Sequence, residues 1–89
     1  MKTCVLDGAR LANTAAVYRA LGEAFSFPRY FENNPDALWD ALGDYSGERV
    51  AIIWRDAARS ADLLGPEFAQ IVAVLQRAAA EGMVTLELA

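Results

Sequence analysis

Three short apolar segments with strand character alternate with longer stretches that carry helix signals, and this order limits the possible folds most strongly. Residues 3–6 and 84–88 are β-prone. Residues 50–54 form a continuous apolar run, which is typical of a strand buried on both faces of a sheet. Strands separated by helices favour a parallel sheet, and its crossover connections are right-handed in nearly all known proteins.

The first two helices are predicted from their capping residues. Asn13 is a favoured N-cap for a helix that ends near Phe25. Asn34 followed by Pro35 predicts the start of a second helix, because proline is tolerated in the first turn, and Gly43 suits its end. The residues between these two helices are expected to form a loop.

Two more helices are predicted between the second and third strands. A short one is expected over residues 56–64, and Gly65 and Pro66 interrupt it. The next has the clearest helical period, and Gly82 ends it. Its apolar stripe consists of Phe68, Ile71, Val72, Leu75 and Ala79. We therefore expect one α/β domain over residues 1–89, with a three-stranded parallel sheet and about four helices in the order β-α-α-β-α-α-β.

The composition disfavours an enzyme. The 89 residues include no histidine and one cysteine, Cys4, so Ser-His-Asp, Cys-His and zinc-finger arrangements cannot be built. No catalytic residue, metal ligand or cofactor is predicted, and Cys4 is expected to be a buried, inert thiol. No stretch approaches the roughly 18 apolar residues of a membrane span, and the start lacks signal-peptide features. We expect a cytoplasmic monomer.

The negative charge is concentrated in one part of the chain. The net charge is −4, yet no lysine or arginine lies between residues 30 and 48. The acids in this segment are Glu32, Asp36, Asp40, Asp44 and Glu48. Such a surface repels nucleic acid and attracts basic partners, so direct binding of DNA or RNA is not expected.

The spacing of these acids places some of them on one helix face. Asp36 and Asp40 are four residues apart and project together, whereas Glu32 precedes the predicted cap and Asp44 follows the predicted end. Like charges at this spacing destabilise a helix. A basic ligand would explain the row, but an ordinary solvated face and a carboxylate site for a metal or for catalysis (Asp36, Asp40 and Asp44) are alternatives.

Aromatic residues accompany the acids. Tyr30 precedes the predicted helix, Trp39 lies within it and Tyr45 follows it. Tyrosine and tryptophan beside charged residues are frequent interface anchors. Trp39 could equally belong to the core because it follows Leu38, and Trp54 is expected in the core.

Residues 27–40, FPRYFENNPDALWD, resemble the loop and second helix of the barstar family, the intracellular inhibitors of barnase-type ribonucleases. The resemblance extends over the whole chain. It implies that Asp40 enters a ribonuclease active site in place of a substrate phosphate and that Asp36 is a second interfacial acid. With the charge and aromatic pattern, it gives these predicted partner-binding residues: Tyr30, Asn34, Asp36, Trp39, Asp40, Asp44, Tyr45 and Glu81.

Several positions depart from the family pattern. Arg77 stands where the family has a contacting glutamate, Glu32 replaces a glycine and Pro35 replaces a leucine. Tyr45 stands in place of a tryptophan, so that position stays aromatic. The implied partner is a basic, extracellular-type ribonuclease or a ribonuclease toxin domain for which the chain is an immunity protein. A basic protein that is not a nuclease is the alternative.

Overall fold

A computed structural model describes residues 1–89 as seven elements around one core. In chain order they are β1 (Lys2–Asp7), α1 (Thr14–Phe25), α2 (Pro35–Asp44), β2 (Val50–Arg55), α3 (Ala57–Leu64), α4 (Pro66–Ala80) and β3 (Val84–Leu88). The predicted order of strands and helices is confirmed. None of the four helices has the length and apolar character needed to cross a membrane.

The sheet is parallel, in the order β1-β2-β3, and its central register aligns Cys4 with Ile52 and Ile52 with Leu86. Along β2 the burial alternates: Ile52 is buried, whereas Ala51 and Ile53 stay partly exposed. The prediction that this strand is buried on both faces is wrong. Two successive right-handed crossovers that each move to the next strand in the same direction place their helices on the same face of a sheet. The other face is then left open.

Trp54 lies at the centre of the core, at the end of β2. Its side chain is fully buried, its indole Nε1 donates a hydrogen bond to Ser60 Oγ at 2.9 Å, and the Phe68 ring meets it edge-on. Gly8, after β1, packs against the backbone of Arg55 and Asp56, next to Ser60. A Cβ at Gly8 would clash with the Asp56 carbonyl oxygen, so only glycine fits there.

Helix α2 packs against α4 through one face. Leu38 and Leu42 are buried on that side. The helix continues through Asp44, one residue beyond the predicted end at Gly43, because Tyr45 takes an extended conformation and ends it. Asp44 is therefore part of α2.

Candidate partner-binding face

The start of α2 is fixed by its cap. Asn34 Oδ1 accepts a hydrogen bond from the Ala37 backbone N–H at 2.8 Å, and Pro35 occupies the first turn. The Asn34 amide nitrogen donates to Glu32 Oε2 at 3.3 Å. Asn34 thus joins the helix to the preceding loop, and its half-buried side chain already has two partners within the chain.

The acids of α2 are exposed and unpaired. Asp36, Asp40 and Asp44 follow one another at four-residue intervals and all three are exposed. The ion pairs of the chain lie elsewhere and join the Met1 amino group to Glu48, Arg10 to Asp7, and Arg77 to Glu81. The α2 carboxylates are therefore available to an external cation.

Stacked aromatic rings support the loop over residues 26–33. Phe27 stacks on Phe31 with ring centroids 4.3 Å apart, and Phe31 also contacts the Tyr18 ring of α1. The loop leaves α1 through Ser26, whose φ of 57° is left-handed. The Phe27 N–H donates a hydrogen bond to the Gly22 carbonyl oxygen. These contacts hold the loop beside α2.

Tyr30 lies at the tip of this loop, and 86% of it is exposed. An open groove of about 340 Å³ separates the loop from α2. Aromatic and acidic side chains line it together, among them Tyr30, Phe31 and Tyr45 with Glu32, Asp40 and Asp44. The groove thus offers apolar contact next to negative charge.

Tyr45 closes one end of this groove in a fixed orientation. Its hydroxyl donates a hydrogen bond to the Glu48 carbonyl oxygen at 2.5 Å, and its ring meets Phe25 edge-on at 5.0 Å. Gly47 lies against the ring, since a Cβ there would come within 2.6 Å of the Tyr45 hydroxyl. Tyr45 therefore packs against the core and also lines the groove.

A second groove, of about 450 Å³, runs between α2 and α4. Trp39 is half-buried in it, so the tryptophan packs on the core and also reaches the surface. The Arg77 guanidinium lies 4.1 Å above the Trp39 ring centroid. Asp36 and Asp40 line the same groove.

Glu81 is paired within the chain. Its Oε2 lies 3.6 Å from Arg77 Nε across one helical turn. The family resemblance implied that Glu81 is one more acid of the partner-binding set. Its neighbour Arg77 offsets that charge, so Glu81 differs from the three unpaired acids of α2.

Asp40 is the residue around which the face is arranged. It borders both grooves and a third one of about 470 Å³ that reaches Asn34 and Gln70. The structure therefore brings seven of the predicted residues to the grooves along α2, whereas Glu81 lines none of these grooves and is linked to them only through Arg77. Sequence reasoning noted Phe31 as an aromatic neighbour of the acids but left it out of the predicted set, and it missed Gln70 as a lining residue. Gln70 gave no signal, because its position depends on how α4 packs against α2.

The shifted ionisable groups lie in the core. Burial raises the pKa of the Cys4 thiol, and it raises the pKa of Tyr18 to about 12 with a smaller contribution from the negative charge of Glu67. Cys4 is buried in β1, as predicted for an inert thiol. No three His, Cys, Asp or Glu side chains converge on a common point that could hold a metal ion.

Comparison with known proteins identifies a family that matches this chain. The family described as "Barstar (barnase inhibitor)" matches residues 1–87. A protein of Bacillus subtilis (strain 168) described as "Putative ribonuclease inhibitor YrdF" is 27% identical over 81 residues, which cover 91% of this chain and 89% of that protein.

The fold and the family match define the class of this protein, which is a small α/β inhibitor rather than an enzyme. The match extends over almost the whole chain, strands and helices alike. The chain belongs to the barstar family. The resemblance seen in residues 27–40 is confirmed at the level of the family.

Proposed function

We propose that this protein inhibits a basic ribonuclease by placing the α2 carboxylates and the preceding loop in the enzyme's active-site cleft. The observation that carries the proposal is the state of Asp36 and Asp40. Both are exposed on one helix face, and neither has an ion-pair partner in its own chain. An enzyme that binds a polyanion must present cations, and these carboxylates can take the place of phosphates.

The surroundings of Asp40 suit this role. Tyr30 extends from the loop on one side, and Trp39 lies in the groove on the other. Rings of this kind bury a large area at low entropic cost and exclude water from neighbouring charge pairs. Asp40 would be the central contact, with Asp36 and Asp44 on either side of it along the helix.

The fixed scaffold favours tight binding. The cap at Asn34 and the stacked rings of Phe27 and Phe31 hold helix and loop in place before a partner arrives. A preorganised surface loses less conformational entropy on association than a mobile one. The excess of acids on one side also steers a basic enzyme toward this face, so association should slow as salt is added.

The comparisons support a ribonuclease as the class of target. The family description names barnase, and the Bacillus subtilis relative is described as a ribonuclease inhibitor. We propose a barnase-like enzyme or a ribonuclease toxin domain as the partner of this chain. A lone buried thiol at Cys4 suits a reducing compartment, and we propose that the protein acts there, in the cytoplasm, as a monomer.

The test is a titration of barnase-type ribonucleases, barnase included, with the purified protein while RNA cleavage is followed. Inhibition should be stoichiometric. Asp40→Ala should relieve it, and Asp36→Ala combined with Asp40→Ala should relieve it further. Asp62→Ala is the matched control, because it removes an exposed acid on α3. Full inhibition by the double variant would reject the proposed site, and capture from source cells of basic partners without nuclease activity would reject the proposed target.

A further inference from the structure

Arg77 is the one cationic residue that lines the acidic face, the three grooves bordered by Asp40. Arg77 lines the groove between α2 and α4 together with Asp36 and Asp40. It makes no ion pair with either acid, although both border the same groove. The face is therefore negative along α2 and carries a positive group at its α4 edge.

Two contacts restrain the Arg77 guanidinium. The guanidinium carbon Cζ lies over the Trp39 ring, 4.1 Å from the ring centroid, and Nε lies 3.6 Å from Glu81 Oε2. None of the side-chain hydrogen bonds of the chain involves Arg77, so its terminal nitrogens, Nη1 and Nη2, are free to donate to a partner. A restrained guanidinium with free terminal nitrogens is suited to a carboxylate, which it can bind through two parallel hydrogen bonds.

The pair with Glu81 leaves Arg77 available to a partner. Both side chains are more than half exposed, at 66% and 51%, and they meet through one long contact. Exposed pairs of this kind contribute little to stability. Covering Trp39 alone would not require a charge, because an unbranched apolar side chain such as methionine could do the same.

We propose that Arg77 is a specificity-determining residue that receives a carboxylate of the ribonuclease at the edge of its basic cleft. This inference rests on the proposed function. A partner that was basic across the whole contact would be repelled at Arg77, and a buried arginine without an acceptor would oppose binding. The preferred enzyme therefore presents cations to α2 and an aspartate or glutamate to Arg77.

The experiment uses a barnase-type ribonuclease that the wild-type chain inhibits, and a set of its variants in which each exposed Asp or Glu is changed singly to Lys. Arg77→Glu should weaken inhibition of the parent enzyme at least about tenfold, and Arg77→Met, which can still cover Trp39, should weaken it several-fold. One enzyme variant should restore inhibition by Arg77→Glu and weaken inhibition by the wild type. The matched control is Arg59→Glu, an equal charge reversal on α3.

The outcomes separate this inference from the proposed function. If Arg77→Glu inhibits as well as the wild type or better, while Asp40→Ala relieves inhibition, the role of Arg77 is refuted and the inhibitor function stands. Absence of any enzyme variant that restores Arg77→Glu also refutes the carboxylate contact. If the wild type inhibits no member of the ribonuclease panel, both proposals fail together.

Discussion

At Asp40, folding and the proposed partner binding make opposite demands on one side chain. Asp36 and Asp44 lie one turn away on either side, and like charges at this spacing cost about 0.2–0.5 kcal/mol per pair. Asp40→Ala removes both repulsions and introduces a better helix former. We predict that the variant gains roughly 0.3–1 kcal/mol in the free energy of unfolding, measured with urea.

The same change should weaken the complex with the inhibited ribonuclease by at least about 2–5 kcal/mol, because the enzyme's buried cations lose their partner. Asp62→Ala should move neither quantity much. Loss of stability in Asp40→Ala, or an unchanged affinity, would contradict the role assigned to Asp40.

Tyr18 gives a separate prediction at alkaline pH. Burial raises its pKa from the ordinary value of 10.0 to about 12, so the folded state holds the phenolic proton more tightly than the unfolded state. The stability that this provides is complete below pH 10 and is lost as the pH rises through about 10 to 12. The slope from this one group is at most about 1.4 kcal/mol per pH unit.

Tyr18→Phe should reduce the loss of stability over this range, measured by urea unfolding at each pH. Tyr30→Phe is the control, since it removes a phenol that is largely exposed, and it should leave the loss in place. An equal alkaline loss in Tyr18→Phe and the wild type would show that Tyr18 is not its source.

The location of a single residue could be predicted from the sequence where one environment determines it. Cys4 and Trp54 were expected in the core from their apolar segments, and both are buried. The spacing of Trp39 could not assign it to the core or to the surface, because it packs against the core and also lines the groove between α2 and α4. The contacts of Arg77 with Trp39 join α4 to α2, and nothing in either helix's own sequence encodes that pairing.

Among the elements, α2 begins at a side-chain cap. Asn34 Oδ1 satisfies a backbone N–H that would otherwise lack a partner at the helix start. We predict that Asn34→Ala lowers the free energy of unfolding by about 0.5–2 kcal/mol, whereas Asn34→Ser, which can still cap, loses much less. Urea unfolding of the two variants measures the difference.

Affinity for the ribonuclease separates capping from direct contact at this position. If Asn34 acts through α2, Asn34→Ser should bind nearly as well as the wild type and Asn34→Ala less well. Asn13→Ala is the matched control, because it removes the equivalent cap from α1. A large loss of affinity in Asn34→Ser at wild-type stability would instead indicate a direct contact by the amide.

The elements were predicted more reliably than their boundaries and faces. Both asparagine caps lie where the sequence indicated, because capping is a local interaction. The end of α2 was missed by one residue, since Gly43 signals a stop only when it takes a left-handed conformation and here it remains helical. The open face of β2 follows from strand order, which the apolar run of residues 50–54 does not encode.

On the scale of the whole molecule, the fold separates the core from the acidic face. The helices cover one side of the sheet, and α2 packs on α4 with its acids directed away from the core. The loop before α2 is held by the aromatic rings of α1 and its own phenylalanines. The acids therefore remain available to a partner without weakening the packing beneath them.

The proposed function requires that the α2 carboxylates occupy the phosphate-binding site of a ribonuclease. The most direct measurement is an equilibrium competition between this protein and a non-cleavable oligonucleotide bound in the active site of an inhibited enzyme. We expect mutual exclusion, in which one equivalent of protein displaces the oligonucleotide and Asp40→Ala displaces it poorly. A stable complex that holds enzyme, oligonucleotide and protein together would contradict it.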